Sequence, residues 1–129
     1  MKTKDLMIGN YVTDQKGKPV RVASINSKGI TYGNGNMMHF LSDKEMGELP
    51  LTTTIVEKNG DIFLRSDNGS YVIDGVADLR LQISGQMWHI GLITFESGTQ
   101  HFLPFYSFTS VHQLQNALGL LNIDKEIEL

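Results

Sequence analysis

Four histidines are the side chains in this sequence whose chemistry most directly suggests a reaction. Imidazole titrates near neutral pH and is the commonest metal ligand, so two histidines at ligand spacing would predict a metal or acid–base site. His39 and His112 have no second histidine or cysteine at i+3 or i+4. His89 and His101 fall on neighbouring predicted strands, where a three-residue loop would separate them by about 13 Å and a two-residue loop would place them on opposite faces. Neither register predicts a metal site.

The sequence motifs of nucleophilic catalysis and of phosphate-binding loops are missing. Serine hydrolases usually hold their nucleophile in a Gly-x-Ser-x-Gly turn, which this sequence lacks, and the chain has no cysteine. The segment Gly33-Asn34-Gly35 lacks the third glycine of a dinucleotide-binding loop. A carboxylate pair of the glycosidase type stays open, although the candidate aspartates fall at strand ends and turns, where they cap backbone groups: Asp61, Asp67, Asp74 and Asp78. We therefore expect a protein that is not an enzyme and that has no catalytic residue, cofactor or metal ligand.

Basic side chains are concentrated at the start of the chain. Residues 1–28 carry six basic and two acidic side chains, a charge of +4, whereas the formal charge of the whole chain is −3. Clustered cations attract phosphates, and aromatic rings stack on bases. A nucleic-acid-binding surface would thus use Lys16, Lys18, Arg21, Tyr11 and Tyr32. Scattered charges on short strands are also typical of an ordinary solvated face, so nucleic-acid binding is the alternative hypothesis and a protein partner is favoured.

Glycines at turn spacing divide residues 10–40 into four short strands. Gly17 falls in the loop of a first hairpin, and Gly29 and Gly35 fall in two further turns. A short antiparallel meander most often closes on itself, because closure hides the edges of the sheet. We therefore predict a small SH3-like barrel or half-barrel at the N-terminus.

Residues 41–60 allow two interpretations. Ser42 and Glu45 have the spacing of a capping box, which predicts a short helical piece that ends before Pro50. In the next ten residues, the β-branched run and Asn59-Gly60 favour a strand that enters a hairpin. Thr52 and Gly60, however, are also suitable ends for a two-turn helix. Propensity alone favours the strand.

Alternating apolar residues predict an antiparallel sheet in the second half of the chain. The predicted strands are residues 62–64, 71–73, 79–84, 87–95 and 99–106, with a turn at Asp67-Asn68-Gly69. A helix that begins after Thr109 or Ser110 has an apolar stripe, which we expect to pack on this sheet. Its polar positions, expected to face water, are His112, Gln113, Gln115 and Asn116. Residues 126–129 alternate like an edge strand.

Residues 102–108 contain four aromatic rings in seven positions. Alternation cannot bury all of these rings on one face of a sheet, so some of them must meet another element or a partner. The terminal helix is the simplest cover, and a symmetric dimer through this edge is the next simplest.

The composition is that of a globular protein without membrane spans. With 40% hydrophobic and 19% charged residues, the sequence is not disordered, collagen-like or a coiled coil. No stretch reaches the roughly 18 apolar residues of a membrane span, and no secretion signal is recognised. Together with the lack of cysteine, this predicts a cytoplasmic protein that does not bind membranes.

Three sequence blocks resemble a group of short uncharacterised proteins of anaerobic gut bacteria, which are often encoded among phage-like and mobile-element genes. The blocks are residues 4–12 (KDLMIGNYV), residues 50–52 with 58–60, and residues 111–118 (VHQLQNAL). In those proteins the middle block is more helical, so the resemblance implies a helix over residues 53–59. It implies a genomic context of the phage type and no particular reaction.

The sequence thus predicts an α+β protein, mainly of antiparallel β structure. We predict a barrel-like subdomain over residues 1–50 and an α+β subdomain over residues 51–129; one compact domain that contains both is the alternative. The predicted function is that of a non-catalytic binding or accessory module of phage or mobile-element type with a protein partner. A nucleic-acid-binding module is the alternative, and a small-molecule or enzymatic pocket between the sheets ranks third.

Overall fold

The computed structural model describes residues 1–66, 69–74 and 76–129, so the predicted turn residues Asp67 and Asn68 lie outside the described part. The chain divides into two compact units. The first unit comprises Met1–Pro50 and Ser110–Asn122, and the second comprises Leu51–Thr109 and Ile123–Leu129. The sequence analysis placed a boundary after residue 50 but assigned residues 110–122 to the second part, whereas the structure groups them with the first unit.

The described residues form eleven strands, two α-helices and a short 3₁₀ helix at Thr3–Asp5. The strands of the first unit are β1 (Tyr11–Thr13), β2 (Pro19–Arg21), β3 (Ser24–Asn26), β4 (Gly29–Asn34), β5 (Met37–Ser42) and β6 (Gly47–Glu48). The elements of the second unit are α1 (Thr53–Lys58), β7 (Phe63–Arg65), β8 (Tyr71–Ile73), β9 (Leu79–Ser84), β10 (Met87–Glu96) and β11 (Thr99–Phe108). Helix α2 (Val111–Leu120) belongs to the first unit. The prediction of an α+β protein dominated by antiparallel strands is confirmed.

The first unit contains two open three-stranded sheets, in the orders β2-β1-β6 and β3-β4-β5. The described strands close no barrel, so the predicted SH3-like barrel is not confirmed. The chain passes from the first sheet to the second between Val22 and Ala23. Val22 still bonds to Gly9 and Asn10, next to β1, whereas the Ala23 N–H donates to the Thr31 carbonyl of β4. Because β1, β2 and β3 have three residues each, they offer too few ladder pairs to carry one sheet around a barrel.

The core of the first unit is small and aliphatic. Val12 and Ile30 are fully buried, and Leu6, Val20, Val22, Leu41 and Met46 complete the cluster. Gly29 begins β4 at a close backbone approach, because a Cβ there would lie 2.2 Å from the Leu41 carbonyl oxygen. The predicted helical piece after Ser42 is not formed, because residues 43–45 form a turn, in which the Ser42 hydroxyl donates to the Glu45 carboxylate at 2.8 Å.

Helix α2 begins with a capping box in which Ser110 and Gln113 bond reciprocally. Its side-chain amides bond to residues of the same unit near the start of the chain. Gln115 Oε1 accepts from the Tyr11 N–H at 2.8 Å, and Asn116 Oδ1 accepts from Asn10 Nδ2 at 2.8 Å. We expected these polar positions to face water. They are partly buried instead, and His112 is only 2% exposed. Gln115 and Asn116 are partly buried because residues 5–11 need hydrogen-bond partners, whereas His112 bonds to Ser110.

The second unit contains a five-stranded antiparallel sheet in the order β11-β10-β9-β8-β7. The connection of β10 to β11 is a two-residue turn, since Glu96 pairs with Thr99, and Ser97 and Gly98 both have positive φ. A bulge interrupts the β10–β11 ladder between Ile90 and Gly91. Trp88 is fully buried, and its Nε1 donates to the Leu51 carbonyl at 3.0 Å. This tryptophan forms the centre of the core of the second unit.

Residues 51–60 contain the helix that the resemblance implied. The Thr52 side chain accepts from the Ile55 N–H at 3.3 Å, and Val56 is fully buried. The Asn59 side chain bonds to the Ile55 carbonyl and to both backbone groups of Glu128. Residues 123–129 form no strand, so the predicted edge strand is wrong. The backbone of Glu128 bonds to the Asn59 side chain instead of to a neighbouring strand.

No helix among the described residues is long and apolar enough to cross a membrane.

Candidate functional site

A pocket of about 280 Å³ in the first unit brings together aromatic and basic side chains. Strands β1, β2 and β4 and the β1–β2 loop form its walls, and its lining includes Tyr11, Asp14, Lys18, Arg21, Tyr32 and Asn34. Four of the five residues that the sequence analysis assigned to nucleic-acid contact therefore line one pocket. Lys16, the fifth, is exposed on the loop and does not line it.

The β1–β2 wall holds a cation over an aromatic ring. Tyr11 pairs with Arg21 across the two strands, and the guanidinium carbon lies 5.3 Å from the centre of the tyrosine ring. Arg21 Nε donates to the Gly9 carbonyl at 3.1 Å. Because the strand pairing, the ring contact and this bond all constrain the side chain, Arg21 presents its charge at the pocket at little further entropic cost.

The β1–β2 loop positions Lys18. Asp14 Oδ1 accepts from the backbone N–H groups of Lys16 and Lys18, both at 2.9 Å, and Gly17 takes a φ of 79°. The Asp14 carboxylate thus orders the loop from inside the pocket lining. Its negative charge also offsets part of the charge of the two basic side chains there.

The β4 wall contributes Tyr32, whose ring stacks on His39 of β5, a residue that does not itself line the pocket. Tyr32 and His39 pair across the hairpin, with ring centres 5.4 Å apart and planes inclined by 26°. Asn34 lies at the end of β4, where its side chain can offer both a donor and an acceptor. The sequence analysis missed Asp14, Asn34 and His39. The turn at Gly35 could have revealed His39, since a two-residue turn there sets the register that pairs it with Tyr32.

The other histidines lie apart from this pocket. His89 Nδ1 is 2.7 Å from Ser107 Oγ, and His101 pairs with Thr94, which puts it on the opposite face of the sheet from His89. His112 Nδ1 is 3.0 Å from Ser110 Oγ, and burial lowers the pKa of this imidazole, against the opposing influence of Glu48 and Asp5. Among residues 1–66, 69–74 and 76–129, no three histidine or acidic side chains form a possible metal site.

A second hollow in the first unit, of about 480 Å³, is lined by Lys2, Lys4, Asn26 and Asp43, among others. It has two cations but no aromatic side chain. It can attract an anion, but it has no ring on which a planar group could stack, so it carries less recognition chemistry than the pocket of Tyr11 and Tyr32.

The two units differ in formal charge. The first unit has seven basic and five acidic side chains, a charge of +2, and the second has four basic and nine acidic, a charge of −5. The aromatic and basic pocket therefore belongs to the unit with the positive charge.

Comparison of this chain with protein-family models, with curated protein sequences and with solved structures finds no match.

Proposed function

We infer that this protein is a non-catalytic binding module, and that the pocket of Tyr11 and Tyr32 binds single-stranded nucleic acid. The observation that carries this proposal is the convergence of two tyrosines with Lys18 and Arg21 on one pocket. Proteins that bind single strands combine cations for the phosphates with rings on which bases stack. The accessory role of phage or mobile-element type is part of the proposal and rests on the sequence resemblance alone.

The size and lining of the pocket support one nucleotide unit as the bound element. A volume of about 280 Å³ lies just below the roughly 300–1,000 Å³ of sites for small organic ligands. A base on one tyrosine ring would leave its phosphate near Lys18 or Arg21, while the Asn34 amide could bond to an edge of the base. Asp14 limits the net positive charge of the pocket, which favours a single strand with exposed bases over a duplex that presents only phosphates.

The direct test is binding of fluorescently labelled single-stranded RNA and DNA oligonucleotides, measured by anisotropy between low and moderate salt. Tyr32→Ala should weaken binding about 5- to 150-fold, which corresponds to the roughly 1–3 kcal/mol that one stacked base contributes. Tyr32→Phe keeps the ring and should bind like the wild type. Circular dichroism of both variants separates lost stacking from lost folding, because Tyr32 also packs against the core.

Lysines 16 and 18 provide a matched pair of variants. Both are exposed in the same loop, but only Lys18 lines the pocket. Lys18→Ala should lower the slope of log affinity against log salt by about one, and Lys16→Ala should change it less. If the wild type binds no oligonucleotide at low salt, or if Tyr32→Ala and Lys18→Ala leave binding unchanged, the proposal is wrong.

A protein partner, which the sequence analysis favoured, is the second candidate. The observation that favours it is the apolar outer strand β11, on which Leu103 and Phe105 are 56% and 54% exposed. This surface belongs to the second unit and is independent of the pocket. The cytoplasmic location stays a prediction.

A further inference from the structure

Strand β11 is an outer strand of the five-stranded sheet. It has ten residues, and its sequence TQHFLPFYSF includes no lysine, arginine, aspartate or glutamate. Natural proteins usually protect such an edge with charges, shortness, proline or a bulge, because its free N–H and C=O groups would pair with another strand. Pro104 and the bulge next to it protect one part of β11, whereas residues 99–103 have neither device. The opposite outer strand, β7, follows that rule, since it has three residues and includes Arg65.

Exposed apolar side chains accompany this edge. Leu103 and Phe105 lie on β11, and Phe95 on β10 is 70% exposed and pairs with Gln100. Residues 87–108 contain one formally charged side chain, Glu96, next to the hairpin turn. Such a length of uncharged, exposed hairpin indicates a surface that another chain covers.

We propose that β11 pairs antiparallel with β11 of a second copy of this chain and so forms a ten-stranded sheet across a two-fold axis. An antiparallel ladder is self-complementary about such an axis, so one edge supplies both sides of the interface. The second unit has a net charge of −5, but β11 has no formally charged side chain. Pairing of two β11 strands therefore brings no like charges of these strands together. The acidic side chains of this unit lie outside β11.

Pro104 and the bulge define which part of the edge pairs. Pro104 has no N–H to donate, and the pairing register between β10 and β11 shifts next to it. Residues 99–103 are therefore the part of β11 that pairs with β10 without interruption. Five residues are a normal strand length. Antiparallel pairing of this segment with its copy puts His101 at the two-fold axis and Thr99 opposite Leu103.

Exposed aromatic rings near the edge supply about half of the area that a specific dimer needs. Two phenylalanines that are 70% and 54% exposed offer roughly 200–300 Å² per copy, since an aromatic side chain buries about 150–250 Å² in full. Two copies double this area, and the leucines, polar side chains and backbone of the edge bring it towards the roughly 1,000 Å² that a specific interface needs.

The test measures the oligomeric state by sedimentation velocity over a concentration series. We expect the wild type to form a dimer, and Leu103→Lys to raise the dissociation constant about tenfold or more, because two lysines would be brought to a desolvated edge. Leu64→Lys is the matched control, since Leu64 is 47% exposed on β7, the opposite edge of the same sheet. It should dimerise like the wild type. Circular dichroism confirms that each variant is folded.

The absence of cysteine allows a second measurement on the same edge. His101→Cys should be linked to its copy by a short bis-maleimide, whereas Leu64→Cys should not. A wild type that stays monomeric at the highest concentration overturns the proposal and leaves this edge to a strand of a different protein. A dimer that is unaffected by Leu103→Lys, or that is not linked through His101→Cys, also overturns it.

Discussion

The two units of this chain present different surface chemistry on similar antiparallel scaffolds. The first unit has two three-stranded sheets, a positive formal charge and a pocket of tyrosines and cations. The second has one five-stranded sheet, a negative formal charge and a long outer strand without formal charge. Polyanions are attracted to the first type of surface and apolar strands to the second. The difference is the reason that we propose a different partner for each unit.

The units also differ in what stabilises them. The second unit is organised around one large ring, Trp88, whereas the first has a small aliphatic core and receives side-chain amides from α2. A ring of this size contributes mainly through buried area and packing. The amides contribute by satisfying backbone groups that short strands leave without a ladder partner. The two kinds of stabilisation can be tested separately.

The largest effect is expected from Trp88 in the second unit. Trp88→Ala should lower the free energy of unfolding by about 3–5 kcal/mol, because it leaves a cavity and removes the hydrogen bond to the Leu51 carbonyl. Urea denaturation followed by circular dichroism measures this loss. Trp88→Phe keeps much of the ring and should cost less. If Trp88→Ala costs no more than an exposed substitution, the core of this unit is organised differently.

A smaller effect is expected from Gln115 in the first unit. Gln115→Ala leaves the Tyr11 N–H and the Gly9 carbonyl without their amide partner, so it should cost about 1–3 kcal/mol of unfolding free energy. The same denaturation experiment applies. Gln86→Ala, in the exposed β9–β10 turn, is the control and should cost little. Equal losses in the two variants would mean that the α2 amides are not needed for the stability of the first unit.

The pH dependence of the first unit should depend on His112. Because burial lowers the pKa of this imidazole below its ordinary value of 6.5, the unfolded chain binds more protons than the folded chain just below that pH, and the stability of the folded state falls as pH decreases. Glu48 and Asp5 reduce the shift without reversing it. His112→Gln should show a smaller loss of melting temperature between about pH 7.5 and about pH 5.5. If His112→Gln loses as much melting temperature over this pH range as the wild type does, His112 does not control this dependence.

The smallest effect is expected from Lys125 in the second unit. Its Nζ bonds to the Asp74 carboxylate, which raises the pKa of Lys125, and to the Asp61 carbonyl at 3.2 Å. Exposed ion pairs contribute little to stability, because water screens them and the side chains lose entropy. Lys125→Met should therefore leave the urea midpoint unchanged at physiological salt. A loss as large as that of Gln115→Ala would show that this contact anchors residues 123–129.

Much of the fold follows from local patterns in the sequence. Alternation and turn glycines placed most strands close to their observed bounds, and β9 at residues 79–84 has the predicted bounds. The β10–β11 turn has two residues, whereas the sequence allowed a loop of either three or two residues. The helix over residues 53–58 could not be predicted from propensity, which favoured a strand. The Thr52 cap and the burial of Val56 outweigh the strand propensity of the β-branched run. The predicted barrel is not confirmed, because strand count alone does not determine closure, which depends on strand length and on where the chain bends.

The candidate site was predictable in its residue types but not in its geometry. The sequence grouped Tyr11, Lys18, Arg21 and Tyr32 by charge and chemistry, and the structure adds Asp14, Asn34 and His39. Tyr11 and Arg21 meet through the pairing of a short hairpin, which loop length largely determines. Tyr32 joins them through the packing of β4 near β2, which no local pattern specifies.

The sequence by itself determined the hairpins, the capped terminal helix and the unequal distribution of charge, because these depend on residues within a few positions of one another. Tertiary structure decided that α2 joins the first unit and that His112 is buried. It also decided that the Asn10 and Asn116 side chains, which are 106 positions apart, bond to each other. Such contacts form only where folding removes polar groups from water and leaves them in need of a partner, and the partner is whichever group the packing brings within reach.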